Sequence, residues 1–193
     1  MKRLLITGFD PFGGSNSNPS WMAVEKLPEQ VGDFSLCKLP IPTVFGKAAA
    51  LVLEKAAEFQ PDLVLCIGLA SGRDAVTPER IAVNIRDARI PDNEGKQPSG
   101  ERIVSDGPAA YFATAPVEKM ARAIRDNGIP AAVSNTAGAF VCNDVLYSLL
   151  HRYAQTAIPV GFVHVPNTPE LGEPSLPLEK IVSALTAAII ACG

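Results

Sequence analysis

Histidine is scarce in this chain: two residues, His151 and His164, in 193. The four cysteines, Cys37, Cys66, Cys142 and Cys192, form no CxxC pair. A zinc site needs closely spaced Cys and His ligands, and that spacing is absent, so the cysteines read as free thiols of a reducing compartment. Aromatic residues are only 6% of the chain, no run of Lys or Arg occurs, and the net charge is −3. A grip on nucleic acid needs a basic stripe or a stacking platform, so that class of partner is excluded. Charged residues, at 19%, fall below the usual ~25%. Hydrophobic residues at 47% nevertheless exclude a disordered chain. No hydrophobic run is long enough to span a bilayer: Ile181 to Cys192 is short of the ~20 residues required and contains Ser183 and Thr186. The opening Met1 to Ile6 imitates the charged start of a signal peptide but meets Gly8 and Asp10 before an apolar region of ~7–15 residues can form. The expectation is a cytoplasmic protein without a membrane partner.

What is present is a regular alternation. Arg3 to Gly8 reads as a buried strand, followed by a loop rich in Gly, Asn and Ser, with Asn18 as helix cap and Pro19 at the first helical position. That helix would turn Trp21, Val24 and Leu27 inward. Phe34 to Leu39 is a second strand. Thr43 is placed to cap a helix over Phe45 to Phe59. Leu63 to Ile67 is a continuous apolar run, the mark of a strand covered on both faces. Ile81, Val83 and Ile85 alternate with smaller or polar residues as a further strand. Arg89 to Gly107 is a long loop, and loops of that length are commonly functional. Val117 to Asn127 is a helix, Ala131 to Ser134 a short strand, Val141 to Tyr153 a helix, Val160 to Val165 a strand, and Leu178 to Ala191 the last helix. Strands alternating with helices define an α/β chain: a single-domain α/β/α sandwich over residues 1–193, with a mostly parallel twisted sheet. In such sheets, sites form at the carboxyl ends of strands.

Several familiar chemistries are missing. Gly8, Gly13 and Gly14 match neither a dinucleotide fingerprint nor a P-loop, and no GxSxG elbow occurs. Phe9 and Phe12 lie in a loop at a strand's carboxyl end, where they face a ligand or, as the residue type favours, tuck into the core. Cys142 opens a helix, where the helix dipole would lower its pKa, yet it also sits on that helix's inner stripe as a small hydrophobe would. The residues alone leave those alternatives open. Cys37 and Cys66 lie inside strands as packing, and Cys192 reads as an idle, exposed thiol. His164 ends a strand, the position of a catalytic base or of a hydrogen-bonded core histidine. His151 reads as a surface histidine near a helix end. The charged stretch from Glu79 to Asn93 is either a solvated, salt-bridged face or a site edge, with Glu79 orienting an imidazole and Arg89 or Asp92 lining the pocket.

Five stretches, in order, carry a resemblance over nearly the whole chain: LLITGFDPFGG with NPS, GLASGR, ERIAVNIRDARIPDN, SNTAGAFVCN and FVHVP. PSLPLEKI is a weaker sixth. Together they resemble the pyroglutamyl peptidase I family of cysteine peptidases. The resemblance implies an α/β/α fold and a triad on Cys142, His164 and Glu79. It also implies a substrate slot made by Phe9, Phe12 and Val141, with no metal and no cofactor. The reaction implied is hydrolysis of the amide after an N-terminal pyroglutamyl residue of a peptide. Arg89 is a further candidate for oxyanion support, and a homotetramer is implied for the assembly. Two other readings compete: a non-catalytic small-molecule binder on the same sheet, and a cysteine amidohydrolase acting on another lactam.

Overall fold

A computed structural model describes residues 1–193. The elements in chain order begin with β1 (Lys2–Phe9), α1 (Pro19–Lys26), β2 (Gln30–Val31), β3 (Phe34–Ile41), α2 (Lys47–Phe59) and β4 (Leu63–Leu69). They continue with β5 (Thr77–Pro78), β6 (Ile81–Val83), β7 (Ala110–Phe112), α3 (Val117–Asp126), α4 (Val141–Tyr153), β8 (Val160–Val165) and α5 (Leu178–Ile190). The main sheet has the order β2-β3-β1-β4-β8-β5. Its four inner strands pair in parallel, and the short edge strands β2 and β5 run antiparallel. A separate antiparallel pair, β6 with β7, stands off the sheet.

The apolar residues of the inner strands alternate between two cores, as a period of two requires. Leu4, Ile6, Leu65 and Val163 pack under α1, α3 and α5, while Leu5, Val64, Cys66 and Phe162 pack under α2 and α4. The mixed α/β architecture with a mostly parallel, twice-covered sheet is the one expected. No helix is long and apolar enough to cross a membrane.

Local departures have local causes. Asn18 does cap α1, its side chain accepting from the Ser20 N–H at 3.0 Å. Thr43 does not cap α2: its hydroxyl donates instead to the Asp10 carboxylate at 2.8 Å, and α2 starts after Gly46, at φ 75°, without a side-chain cap. Ala131 to Ser134 forms only isolated bridges, to Val76 and Glu79, because no long edge is left for it to pair with. Trp21 is only partly buried, on the rim of its core. Cys192 is not an idle surface thiol. It packs against the α5 core, donates to the Ala188 carbonyl at 3.3 Å, and burial pushes it up to about 11.

The first loop is held by a close approach. A Cβ built on Gly8 would lie 2.6 Å from the Trp21 Cα and 2.7 Å from its nitrogen. These are backbone atoms that cannot swing aside. Gly8→Ala is therefore expected to push α1 off β1 and strain the Phe9 N–H bond to the Ser20 hydroxyl, 3.0 Å long in the wild type. The expected cost is about 1–3 kcal/mol, read as a fall in the urea midpoint. An unchanged midpoint would refute the contact.

Candidate active site

Four segments meet at the carboxyl edge of the sheet, on the face covered by α4. β8 delivers His164, whose cross-strand neighbour on β4 is Gly68. The α4 start delivers Cys142. A Cβ on Gly68 would lie only 3.0 Å from the Cys142 sulfur and 2.7 Å from the Phe162 ring. The bare glycine is what lets the thiol sit over β4 beside the imidazole. Edge strand β5 pairs Thr77 with His164, and the Glu79 N–H donates to the Phe162 carbonyl at 2.9 Å. That register aims the Glu79 side chain at the back of the ring, where Oε1 meets His164 Nδ1 at 2.7 Å. Both side chains are buried, Glu79 completely.

The start of α4 is pinned by the two residues after the cysteine. Asn143 is fully buried, accepts from the Val83 N–H at 2.9 Å and donates to the Val83 and Ile85 carbonyls at 2.9 and 3.0 Å. Asp144 is equally buried, receives Arg86 Nε at 2.7 Å and the Gly46 N–H at 2.8 Å. No side chain caps this helix, and the Cys142 N–H lies against its own sulfur.

Electrostatics weigh against the helix-dipole alternative for Cys142. The helix start does not leave the resting cysteine as a thiolate: burial, then the neighbouring Glu79 and Cys66, push the Cys142 thiol up to about 12, against the pull of Arg73. Desolvation outweighs the dipole because the sulfur lies between α4 and the sheet. Burial also pushes the Glu79 carboxyl up. The His164 hydrogen bond and charge, with the Ser134 hydroxyl and Arg73, outweigh it and hold the carboxyl below the usual range.

A cavity of about 270 Å³ opens over the thiol and imidazole. That is at the small end of ligand sites, which typically run ~300–1,000 Å³. Phe9, Phe12 and Phe140 supply its apolar walls, Asn18 and Thr43 its polar floor, and Leu69, Ala70, Arg73 and Thr136 to Gly138 the remainder. No carboxylate lines it. Phe12 and Phe140 face each other at 6.2 Å between ring centroids, and Phe45 backs Phe140 edge-on at 5.2 Å.

Of the residues singled out from the sequence, Cys142, His164, Phe9 and Phe12 line this cavity, and Glu79 stands directly behind His164. Val141 does not line it. As the first residue of α4 it points into the core and is fully buried, while Phe140, one position earlier, takes the wall. Arg89 does not reach the cavity either: it is exposed and lines an adjoining groove of about 600 Å³, with Asp87 and Ile90. The groove and cavity share Phe12, Leu69, Ala70, Arg73, Gly138 and Phe140 as a common rim. Asp92 is used structurally, accepting from the N–H groups of Phe45, Glu94 and Lys96 at 2.9 Å each. His151 sits far along α4, its Nδ1 2.9 Å from the Tyr111 hydroxyl and its ring stacked on Tyr147.

Residues that the sequence did not assign to the site also meet here. Thr43, Phe140 and Arg73 line the cavity, and Asn18 adds a donor bond to the Asp10 carbonyl at 2.9 Å. Arg73 belongs to the GLASGR stretch, and the only available signal was a lone cation between glycine and a strand.

A thiol and an imidazole lining one small cavity, with a buried carboxylate behind the imidazole, on an α/β/α sandwich, define the class: a cysteine-type hydrolase. Comparison with known proteins narrows this. The family model described as "Pyroglutamyl peptidase" matches residues 2–193. The pyrrolidone-carboxylate peptidase of Bacillus licheniformis is 49% identical, over 98% of this chain and 91% of the relative. That of Levilactobacillus brevis is 50% identical, over 97% and 95%. The crystal structure of Bacillus amyloliquefaciens pyroglutamyl peptidase I superposes with a TM-score of 0.96 at 46% identity, covering 100% of this chain and 97% of that one. The pyrrolidone carboxyl peptidase from Thermococcus litoralis superposes at 0.92 with 40% identity, covering 100% and 93%. This chain belongs to the pyroglutamyl peptidase family of cysteine peptidases.

Proposed function

We propose that this protein is a cysteine exopeptidase that hydrolyses the amide bond after an N-terminal pyroglutamyl residue. In this reading Cys142 is the nucleophile, His164 the proton carrier and Glu79 its orienting carboxylate. The observation that carries the specificity is the cavity wall. It combines three phenylalanines with a few neutral polar groups, and its only charged or chargeable lining groups are Arg73, His164 and the thiol. An ordinary ammonium N-terminus entering it would find no anion and would face Arg73. Burying an unpaired ammonium is costly, whereas the neutral pyroglutamyl lactam carries no such charge.

The chemistry follows from the geometry. Because the thiol rests protonated, its proton passes to His164 as the sulfur attacks the pyroglutamyl carbonyl carbon. Glu79 holds the imidazole by Nδ1 and stabilises the positive charge that forms there. The oxyanion of the tetrahedral intermediate falls at the uncapped start of α4, where backbone N–H groups and the helix dipole favour negative charge. His164 then gives its proton to the departing amine as the C–N bond breaks. The leaving peptide lies along the Asp87–Arg89 groove. Water, losing a proton to His164, attacks the thioester and releases pyroglutamate with the thiol restored.

The same proposal takes residues 1–193 as one domain of a cytoplasmic homotetramer. Support for the assembly comes from the resemblance and from exposed apolar side chains such as Phe112, 70% accessible on β7, which an interface would cover.

The test compares aminocoumarin amides of pyroglutamate, proline and glutamine, with a reducing agent and a chelator present. Release from the pyroglutamyl amide alone is expected. A folded, reduced protein that releases nothing would support the binding-protein reading, and one that prefers a different lactam would support the amidohydrolase.

A further inference from the structure

Arg73 occupies the loop between β4 and β5 and touches two parts of the site at once. Its Nη1 donates to Glu79 Oε1 at 2.5 Å, the same oxygen that meets His164 Nδ1 at 2.7 Å. The same nitrogen contacts the Thr77 hydroxyl, and Nη2 donates to the Thr136 carbonyl at 2.9 Å. Thr136 opens the Thr136–Gly138 wall of the substrate cavity. The other carboxylate oxygen, Glu79 Oε2, is buried without a hydrogen-bond partner.

We infer that Arg73 is a positioning residue for the hydrolysis, one guanidinium that fixes the Glu79 carboxylate behind His164 and ties it to the Thr136–Gly138 wall. The inference rests on the assignment of Cys142, His164 and Glu79 made above.

The physical argument starts from the unequal loading of the carboxylate. Oε1 carries both partners and Oε2 none. Without Arg73 the carboxylate would keep His164 on Oε1 and the Ser134 hydroxyl beside it, with no charged group to stop it and the imidazole from turning together. Arg73 removes that freedom. A rigid fork suits the task, because its two nitrogens face different segments of chain. A lysine ammonium is a single point charge and can serve only one of them. Arg73 is also the nearby cation: its side chain is 28% exposed, against 0% for Glu79. The groups facing Glu79 are His164 from β8, Arg73 from the β4–β5 loop, the Ser134 hydroxyl, and the Cys142 thiol from α4. Removing the one permanent positive charge among them favours protonation of the Glu79 carboxyl, so the loss of activity on acidification must begin at higher pH.

The test uses Arg73→Met and Arg73→Lys, with kcat and KM for the pyroglutamyl-aminocoumarin amide measured across pH. Misplacing a catalytic group by an ångström costs on the order of 10²-fold. For Arg73→Met, kcat is expected to fall by roughly 10–10²-fold, with the acid limb of kcat/KM displaced to higher pH. Arg73→Lys should return the acid limb to its wild-type position and recover most of kcat, because the charge is restored. Its KM should stay several-fold raised, because the Thr136 carbonyl has lost its Arg73 donor and keeps only the Ser134 hydroxyl at 3.1 Å. A methionine variant with a wild-type acid limb would overturn the inference, as would a lysine variant displaced as far as the methionine one. Should Arg73→Met fail to fold, Arg73→Lys decides alone: a wild-type limb with raised KM upholds the bridging role, and an unchanged KM removes it. An inactive wild type would instead sink the functional reading itself. Active wild type with indifferent Arg73 variants would sink only this inference.

Discussion

Alanine at position 142 is expected to lower kcat for a pyroglutamyl amide by about 10⁴–10⁶-fold, and alanine at 164 by a similar factor. The near equality is the informative part. A cysteine resting as a thiolate could keep some activity without its histidine. Here desolvation, then the neighbouring Glu79 carboxylate and Cys66 thiol, push the half-buried Cys142 thiol up to about 12. Its proton needs an acceptor within the same step, and His164 is the one imidazole lining the cavity. The second histidine supplies the control. His151, bonded to Tyr111 and stacked on Tyr147, is outside the cavity, and His151→Ala should leave kcat within about twofold, as surface changes away from special features usually do. Circular dichroism and thermal melting establish folding in each variant. Equal losses at 151 and 164 in folded protein would undo the assignment.

The second large effect is expected at Glu79. Glu79→Gln nearly preserves shape while removing the charge. If the amide oxygen keeps the Oε1 position, its NH₂ takes the buried place of Oε2, which has no hydrogen-bond partner, and the imidazolium formed in the reaction has no counter-charge. If the amide turns over, it donates to His164 Nδ1 and selects the wrong tautomer. Either way kcat should drop by roughly 10³–10⁴-fold, as when a triad carboxylate is neutralised elsewhere. Stability should fall by about 1–3 kcal/mol, the range for stranding a partner such as Arg73, here only partly solvated. The pH dependence has a definite sign. Folding holds the Glu79 carboxyl below the ordinary glutamate range. Its contribution to stability is therefore complete above that range and is lost as pH falls through the lowered value. Melting temperatures taken between neutral and acidic pH should fall more steeply for the wild type than for Glu79→Gln. Parallel curves would mean that the carboxyl is not held ionised by the fold.

How far these features were legible in the sequence depended on whether their causes were local. The Val141 to Tyr153 helix and the Val160 to Val165 strand fall where the apolar spacing puts them, because periodicity and flanking punctuation are local properties. Thr43 failed as a cap because a residue 33 positions away, Asp10, claimed its hydroxyl, and no local rule contains that competition. The Ala131 to Ser134 stretch has strand composition but no strand, since pairing depends on which edges remain free. At the site, Phe9, Phe12, Cys142 and His164 were legible as candidates by position at strand and helix ends, and the family resemblance chose between the readings their residue types left even. Val141 turns its side chain into the core because neighbours on a helix point about 100° apart, so the side chain beside Cys142 need not share its cavity. Arg73 stayed hidden because nothing near it in the chain reveals that it meets residues 6 and 63 positions later.

The position of β8 in the sheet order has one more consequence. This strand lies between β4 and β5, and β5 pairs with no other strand of the sheet. During synthesis, the phenylalanines of the first loop and the future orienting carboxylate all emerge before the strand that joins them. Until residues 160–165 arrive, β4 carries an open edge and Glu79 has no imidazole to hold. On the proposed roles, a chain that has not yet placed β8 has no hydrolytic competence, and Cys142 meets His164 only when that strand fills the gap between β4 and β5.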